Sequence, residues 1–296
     1  MGAAVHHFDR DAEPARRLAD ILGAGSNPIA LHRFPDGESL VRVAAPVQPA
    51  AILYCSLDDP NAKIVDVLLS ASALHENGAT RVILVAPYLG YMRQDMAFHP
   101  GEAVSQQVIG KLIAGAFDGC VTVDAHLHRI HDLGEVMPGI PAVNLFGKQA
   151  LSASLDLSVN PLIVGPDGES EQWVRAIAEP LGLDFLVGRK MRDGDRSVDI
   201  EFADIGHVEG RHVVLVDDVI SSGVTLAVAA RMLREADAAK IEALATHCLA
   251  SSQDLAALHE AGIERIRSSD SIPGPTAQIE LAETLAHGIR ERGLIA

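Results

Sequence analysis

Short apolar runs alternate with longer segments that carry apolar residues at helical spacing, and this alternation extends along the whole chain. Runs such as 82–86 and 213–216 have no polar interruption, which is typical of parallel strands buried on both faces. Segment 63–75 has apolar residues three and four positions apart, which predicts a helix that covers such a sheet. The pattern therefore predicts an α/β fold with central, largely parallel sheets flanked by helices.

The predicted strands are 40–43, 51–55, 81–86, 119–123, 161–165, 185–187, 213–216 and 241–246. The predicted helices are 12–22, 63–75, 105–116, 173–181, 226–236 and 277–292. The order of helix, short break and strand is shared by both halves, and it restarts near 141–146, which suggests internal duplication of an α/β unit. This interpretation divides the chain into residues 1–143, residues 144–280 and a C-terminal helix within 281–296.

The stretch from Arg211 to Thr225 carries the clearest chemistry. Its apolar strand leads into two adjacent carboxylates, Asp217 and Asp218, which we expect at the carboxyl edge of the sheet. A loop of small and hydroxylated residues follows and opens a helix, as in sites where backbone amides and a helix N-terminus hold a phosphate. The loop residues are Ser221, Ser222, Gly223, Val224 and Thr225.

A phosphorylated sugar suits this arrangement, because carboxylates accept hydrogen bonds from vicinal hydroxyls while the loop holds the phosphate. An ordinary strand-to-helix turn would explain Gly223 and the small residues. Such a turn would not explain two adjacent acids after a wholly apolar strand.

Composition restricts the class of partner. The 296 residues carry a formal net charge of −16, which argues against nucleic acid and anionic membranes as main partners. An acidic protein that binds phosphates needs metal ions and a few well-placed basic side chains. It has only three cysteines, and they are widely separated in the sequence. This favours buried thiols in a reducing compartment over a disulfide framework. With no long apolar segment at its start, the chain is expected to be cytoplasmic.

Four further segments concentrate polar residues, and each also has an ordinary interpretation. LHRFPDGESLVRV contains a common turn, and PYLGYMRQD could be a solvated loop at a strand end. DAHLHRIHD crowds one acid and three histidines together, although a zinc site would lack a convincing fourth ligand. GRKMRDGDRSVDI is the most basic stretch of the chain and could be a charged surface hairpin.

These motifs occur together in the order found in ribose-phosphate diphosphokinases, also called phosphoribosyl diphosphate synthetases, and the chain resembles that family over nearly its whole length. The resemblance implies two phosphoribosyltransferase-like domains, the first for ATP and the second for ribose 5-phosphate, with the C-terminal helix packing back on the first. It also implies transfer of the β,γ-diphosphoryl group of ATP to the C1 hydroxyl of ribose 5-phosphate, with Mg²⁺ as cofactor, and release of AMP.

The resemblance assigns roles to individual residues. The ATP-binding set is Phe34, Asp36, Glu38, Arg93, Gln94 and Asp95, and the sugar-phosphate set is the acids and loop between Asp217 and Thr225. His126, supported by Asp124, and Asp167 would meet the metal ion. Lys190 and Arg192 match a Lys-x-Arg pair on a mobile flap, and such cations stabilise charge on transferring phosphoryl oxygens. In this family the Phe34–Glu38 segment enters the ATP site of a neighbouring subunit, so we expect at least a homodimer.

Two departures and two alternatives accompany the resemblance. Related synthetases often carry Gly-Gly-x-Lys-Arg after the acid that matches Asp167, whereas this chain has Glu169, Ser170, Glu171 and Gln172. Eukaryotic synthetases have Asp and Thr where this chain has Ser221 and Ser222. The alternatives are a phosphoribosyltransferase, which needs neither the Phe34–Glu38 segment nor the Arg93 loop, and a regulatory homologue that has lost catalysis.

Overall fold

The computed structural model of the protein describes residues 2–127, 130, 132–191 and 199–295, and for residues 190, 191 and 199 it describes the backbone alone. The chain forms two compact units. The first comprises Met1–Phe146, Ser271–Pro273 and Glu280–Ala296, and the second comprises Gly147–Asp270 and Gly274–Ile279. The final helix therefore belongs to the first unit.

The first unit is built on a six-stranded parallel sheet with the order β2-β1-β5-β6-β7-β8. Its strands are β1 (Ala3–His7), β2 (Gly25–Pro28), β5 (Ala50–Tyr54), β6 (Arg81–Val85), β7 (Gly119–Val123) and β8 (Ala142–Leu145). A separate antiparallel hairpin consists of β3 (Ala30–Arg33) and β4 (Ser39–Arg42). The helices of this unit are α1 (Ala12–Leu22), α2 (Pro60–Glu76), α3 (Ser105–Ala114) and α8 (Ala282–Glu291), and α8 packs against α1.

The second unit repeats the plan with a six-stranded parallel sheet in the order β10-β9-β13-β14-β15-β16. Its strands are β9 (Leu162–Gly165), β10 (Phe185–Val187), β13 (His212–Ile220), β14 (Lys240–Cys248), β15 (Arg265–Ser269) and β16 (Ala277–Ile279). β11 (Arg189–Met191) and β12 (Asp199–Glu201) form an antiparallel pair. The helices are α4 (Lys148–Ala153), α5 (Glu171–Leu181), α6 (Val224–Glu235) and α7 (Ser252–Glu260).

The central strand β13 shows why unbroken apolar runs mark this fold. Val213 and Leu215 pack into one buried cluster, and Val214 and Val216 pack into a second cluster on the other face of the sheet. Because both faces are covered by helices, no position in the run has to be polar. The predicted fold class, two domains with helix-flanked parallel sheets, is confirmed.

Three differences from the predicted elements are informative. β13 does not end at its two acids, because Val219 still pairs with His247 of β14. The predicted helix 277–292 starts later, and its first residues form β16 at the edge of the second sheet. β1 was not predicted, and its last two residues, His6 and His7, are polar but buried.

The three cysteines are free and buried, and burial raises the pKa of Cys120 to about 12. In the described part of the chain, no helix combines the length and the apolar character needed to cross a bilayer.

Candidate functional site

Three carboxylates meet at the carboxyl edge of the second sheet. Asp167 follows β9, and β9 pairs with β13 so that Val164 lies opposite Leu215, which brings Asp167 close to Asp217 and Asp218. Burial, followed by the negative charges of Asp218 and Asp167, raises the pKa of Asp217 well above its usual range. Buried like charges that are left together repel each other, so this corner favours a ligand that brings positive charge or hydroxyl donors.

The loop after β13 leads directly into α6 and is shaped by Gly223. This residue has a φ of +71°, and a Cβ atom there would lie 2.9 Å from both methyl carbons of Leu258. Only glycine combines that left-handed conformation with so close an approach. Ser221 and Ser222 are exposed, and Thr225 is half-buried in the first turn of α6. The first amides of this 12-residue helix have no partner within the helix and can receive an anion.

The short loop after Asp167 is held by its own backbone and side chains. Asp167 accepts a hydrogen bond from the Glu169 amide at 3.0 Å, and the Ser170 hydroxyl donates to the Asp167 carbonyl at 2.6 Å. Asp167 is thereby fixed beside the acids of β13. The residues that replace the family's Gly-Gly-x-Lys-Arg run thus form a compact turn into α5.

In the first unit, the loop after β6 carries the predicted ATP residues. Gly90 allows a close approach, since a Cβ atom there would lie 2.7 Å from the Leu57 carbonyl oxygen. Tyr91 has a φ of 68°, a left-handed conformation that non-glycine residues rarely adopt outside constrained sites. Gln94 accepts a hydrogen bond from the Ser105 hydroxyl at 2.5 Å, and Arg93 is exposed.

Asp95 is half-buried in the same loop. Farther along, Glu102 accepts hydrogen bonds from the amides of Phe98 and His99 at 2.8 and 3.1 Å. Its hydrogen bond with the His99 side chain, together with those amide bonds, lowers the pKa of Glu102. The loop is therefore stabilised by internal bonds, while the Arg93 side chain stays open to solvent.

The neighbouring strand β7 delivers the predicted metal ligand of this unit. Asp124 directly follows β7 and is buried, with a φ of 40°, and its amide donates to the Leu145 carbonyl at 2.8 Å. The Ala125 amide donates to the Asn144 side chain at 2.9 Å. These bonds fix the turn that places half-buried His126 at the carboxyl edge of the sheet. His128 and His131 lie outside the described residues.

The second predicted ATP segment is the tip of the β3–β4 hairpin, which packs on α2. The Phe34 amide donates to the Glu38 carbonyl at 2.8 Å, and the Glu38 amide donates to the Asp36 carboxylate at 3.1 Å. Phe34, Asp36 and Glu38 are all exposed, so the tip is available to a ligand.

The predicted flap begins in the β11–β12 pair, where Lys190 lies opposite Ile200. Arg192 lies outside the described residues.

A charged cluster with buried carboxylates at the carboxyl ends of β1 and β5 was not identified from the sequence. Arg10 and Lys63 both donate to Asp58, with Lys63 at 2.6 Å. Burial acts to raise the pKa of Asp58, but Lys63 and Arg10 hold it below its ordinary value. Asp11, only 2% exposed, is less well compensated, and burial raises its pKa to about 6. These residues are far apart in sequence, so only the pairing of β1 with β5 reveals the cluster.

Comparison with known proteins gives a consistent result. Residues 5–116 match the sequence model of the N-terminal domain of ribose phosphate pyrophosphokinase, and residues 149–274 match that of the phosphoribosyl transferase domain. A ribose-phosphate pyrophosphokinase from Methanopyrus kandleri is 33% identical over 93% of this chain and 94% of its own length. Ribose-phosphate pyrophosphokinase 2 from Archaeoglobus fulgidus is 30% identical over 93% of this chain and 96% of its own length.

The fold agrees with these matches. The crystal structure of phosphoribosylpyrophosphate synthetase from Mycobacterium smegmatis superposes with a TM-score of 0.84 and covers 99% of both chains, at 23% sequence identity. The matches extend over both units and nearly the full length of the curated relatives. The chain belongs to the ribose-phosphate pyrophosphokinase family.

Proposed function

We propose that this protein transfers the β,γ-diphosphoryl group of ATP to the C1 hydroxyl of ribose 5-phosphate, giving 5-phosphoribosyl 1-diphosphate and AMP. The observation that carries the proposal is the corner where Asp217 and Asp218 precede the Gly223 loop and the N-terminus of α6, in a chain of this family. That corner offers hydrogen-bond acceptors for sugar hydroxyls and donors for a phosphate within one stretch of chain.

The sugar phosphate is held by two kinds of contact in this proposal. The amides and hydroxyls between Ser221 and Thr225 bind the 5-phosphate, assisted by the positive end of the α6 dipole. Asp217 and Asp218 accept hydrogen bonds from the vicinal ribose hydroxyls. Hydroxyl donors favour the ionised form of Asp217 and so offset the burial and the repulsion that raise its pKa.

ATP is held by the first unit. Arg93 is suited to a bidentate contact with a phosphate, and Gln94 and Asp95 supply further polar groups in the same loop. Phe34 offers an aromatic face for adenine, with Asp36 and Glu38 as acceptors for its exocyclic amine. In the family the hairpin tip serves the ATP of a neighbouring subunit, so we propose at least a homodimer.

Magnesium is the cofactor that fits the residues present. No group of three or more His, Cys, Asp or Glu in the described ranges is arranged to enclose a metal ion. Mg²⁺ does not require such a cage, because it is usually held by one or two carboxylates together with substrate phosphates and water. The crowded oxygen donors near Asp167 fit that requirement, and we assign Asp167 in the second unit to Mg²⁺ binding. In the first unit we assign His126, with Asp124 in support, to Mg²⁺ binding as well. When bound, Mg²⁺ neutralises charge on the phosphoryl oxygens.

The reaction also needs groups that stabilise the negative charge that develops on the phosphoryl oxygens during transfer. The sugar hydroxyl has to stand in line with the β-phosphorus, and several negative charges must be neutralised. We assign Lys190 and Arg192 to this task, because preformed cations aimed at a developing charge usually provide a large part of catalysis.

The three free, buried thiols suit a reducing compartment, and we propose that the enzyme is cytoplasmic.

The test is incubation of the purified protein with ATP, Mg²⁺ and ribose 5-phosphate, followed by phosphorus NMR. Equal amounts of AMP and a sugar diphosphate support the proposal. ADP would indicate an ordinary kinase and refute it, and no reaction would favour a regulatory homologue. A parallel sample with excess EDTA should form neither product.

A further inference from the structure

Arg33, the last residue of β3, links the β3–β4 hairpin to α2. Its guanidinium donates to the Ser39 hydroxyl on β4. It also donates to the Ala62 carbonyl at 2.9 Å and to the Asp66 carboxylate at 2.6 Å. The guanidinium has five N–H donors on a rigid planar fork, so its two ends reach these three acceptors at once, whereas an ammonium group is a compact point charge.

Loss of this contact would leave Asp66 as a buried carboxylate without its cation. Asp66 lies on the buried face of α2 with only 3% of its surface exposed, and its second carboxylate oxygen has no hydrogen-bond partner among the described residues. Arg33 is the cation that pairs with it. A buried carboxylate that loses its partner is strongly destabilised, so the pair favours the docked position of the hairpin over any detached one.

The first turns of α2 also hold the loop after β6. The Tyr91 hydroxyl donates to the side-chain oxygen of Asn61, and Gly90 packs against Pro60. A groove of about 720 Å³ lies where the hairpin meets α2, and its lining includes Arg33, Glu38 and Asn61. Both segments that we assign to ATP are therefore attached to the same short part of one helix.

We propose that Arg33 and Asp66 are positioning residues for ATP binding. They touch no substrate themselves. They hold the hairpin on α2 in the one orientation that presents Phe34 and Glu38 to the ATP of a neighbouring subunit. This inference rests on the proposed function, because it concerns the ATP that the family resemblance assigns to the hairpin.

Two variants separate positioning from folding. Arg33→Lys keeps the charge opposite Asp66 but loses the fork that also reaches Ser39 and Ala62. The double variant Arg33→Met with Asp66→Leu removes both charges at once, so that no unpaired carboxylate is left buried. The matched control is Arg42→Ala, since Arg42 is exposed on the other strand of the hairpin and forms no ion pair with a described residue.

Steady-state kinetics of the full-length protein provide the first measurement. We expect the KM for ATP to rise at least tenfold in the double variant and by a smaller factor in Arg33→Lys. The KM for ribose 5-phosphate should stay within twofold of wild type in both variants, and Arg42→Ala should match wild type. An ATP KM within twofold of wild type in the double variant overturns the proposal, and so does an equal rise in both KM values.

Amide hydrogen exchange provides a second measurement that does not depend on activity. Exchange across residues 30–42 should accelerate in the double variant, while β5, β6 and β7 keep their wild-type protection. If wild-type protein forms no sugar diphosphate, the proposed function fails. The anchoring of the hairpin is then judged by exchange alone, and unchanged exchange across residues 30–42 overturns it.

Discussion

Replacing Gly223 with alanine tests whether the loop before α6 holds the sugar phosphate. The substitution places a Cβ atom on a backbone with a φ of +71°, 2.9 Å from the two methyl carbons of Leu258 and 3.0 Å from its Cγ. Leu258 is buried and cannot swing away freely. The loop therefore has to move, and with it the amides that we assign to the phosphate.

The size of the effect follows from the two sources of strain. A left-handed conformation costs a non-glycine residue about 1–2 kcal/mol, and overpacking of a filled site costs about 1–3 kcal/mol. If the loop shifts to relieve this strain, the ligand loses a hydrogen bond to a charged group, which is worth about 1.5–3 kcal/mol. At about 1.4 kcal/mol for each factor of ten, the KM for ribose 5-phosphate should rise about 10- to 100-fold.

Gly182→Ala is the matched control. Gly182 has a φ of +64°, but no heavy atom lies within 4 Å of the added Cβ, and it caps the C-terminal end of α5. Gly182→Ala therefore introduces the same kind of backbone strain, but it causes no steric clash and lies outside the proposed sugar-phosphate site. Adding Leu258→Ala to Gly223→Ala removes the atoms that clash, so the double variant should recover part of the lost affinity.

The assay is initial velocity against ribose 5-phosphate at saturating ATP, together with the KM for ATP, which we expect to stay within twofold of wild type. The reasoning is refuted if Gly223→Ala changes thermal stability as Gly182→Ala does but leaves the ribose 5-phosphate KM unchanged.

Three further predictions concern charge. Burial and the charges of Asp218 and Asp167 raise the pKa of Asp217, so the ionised carboxylate destabilises the fold increasingly as pH rises. Asp217→Asn should therefore stabilise the protein relative to wild type more at pH 9 than at pH 5 in thermal unfolding, while its KM for ribose 5-phosphate rises. A larger stabilisation at pH 5 contradicts this. Burial raises the pKa of Asp11 from 3.8 to about 6. In urea titrations, Asp11→Asn should therefore stabilise the protein by about 3 kcal/mol above pH 6 and by almost nothing at pH 3.5. Equal stabilisation at both pH values would contradict a raised pKa of Asp11. Lys190→Ala should lower kcat about 100- to 1,000-fold with little change in ribose 5-phosphate affinity, and normal turnover with a raised KM would show that this role is wrong.

Of the twelve strands that the structure describes in the two parallel sheets, the sequence identifies seven. Helices cover both faces of these sheets, so a buried strand has an unbroken apolar run in its sequence. The sequence does not identify β1, whose run ends in His6 and His7. Burial, together with the neighbouring His7, lowers the pKa of His6 to about 4, so the imidazole inside the sheet is neutral at pH 7.

β15 was missed for a different reason, since its sequence, RIRSS, has one apolar residue among two arginines and two serines. Arg267 is buried there because its guanidinium donates to Glu242 of β14 at 3.3 Å and to the Ser154 carbonyl at 2.7 Å. A charged residue can enter the core when a partner from elsewhere in the chain compensates it, and such a partner cannot be found by inspecting one segment.

The same distinction applies to the site. Asp217 and Asp218 are neighbours in sequence, so their pairing could be predicted directly. Their proximity to Asp167 depends on the parallel pairing of β9 with β13. The cluster of Asp11 with Asp58 depends in the same way on the pairing of β1 with β5. Site residues that share one loop could therefore be predicted from the sequence. Site residues that come together from different strands could be identified only once the fold was known.

The central claim is that the C1 oxygen of ribose 5-phosphate attacks the β-phosphorus of ATP. The most direct measurement uses ribose 5-phosphate labelled with ¹⁸O at C1 and reads the isotope content of the products and of the unreacted sugar by mass spectrometry. Our account predicts that the sugar diphosphate retains as much ¹⁸O as the unreacted sugar phosphate, and that AMP contains none. Loss of ¹⁸O from the sugar diphosphate would mean that the C1–O bond breaks, as in a phosphoribosyltransferase, and would contradict the account.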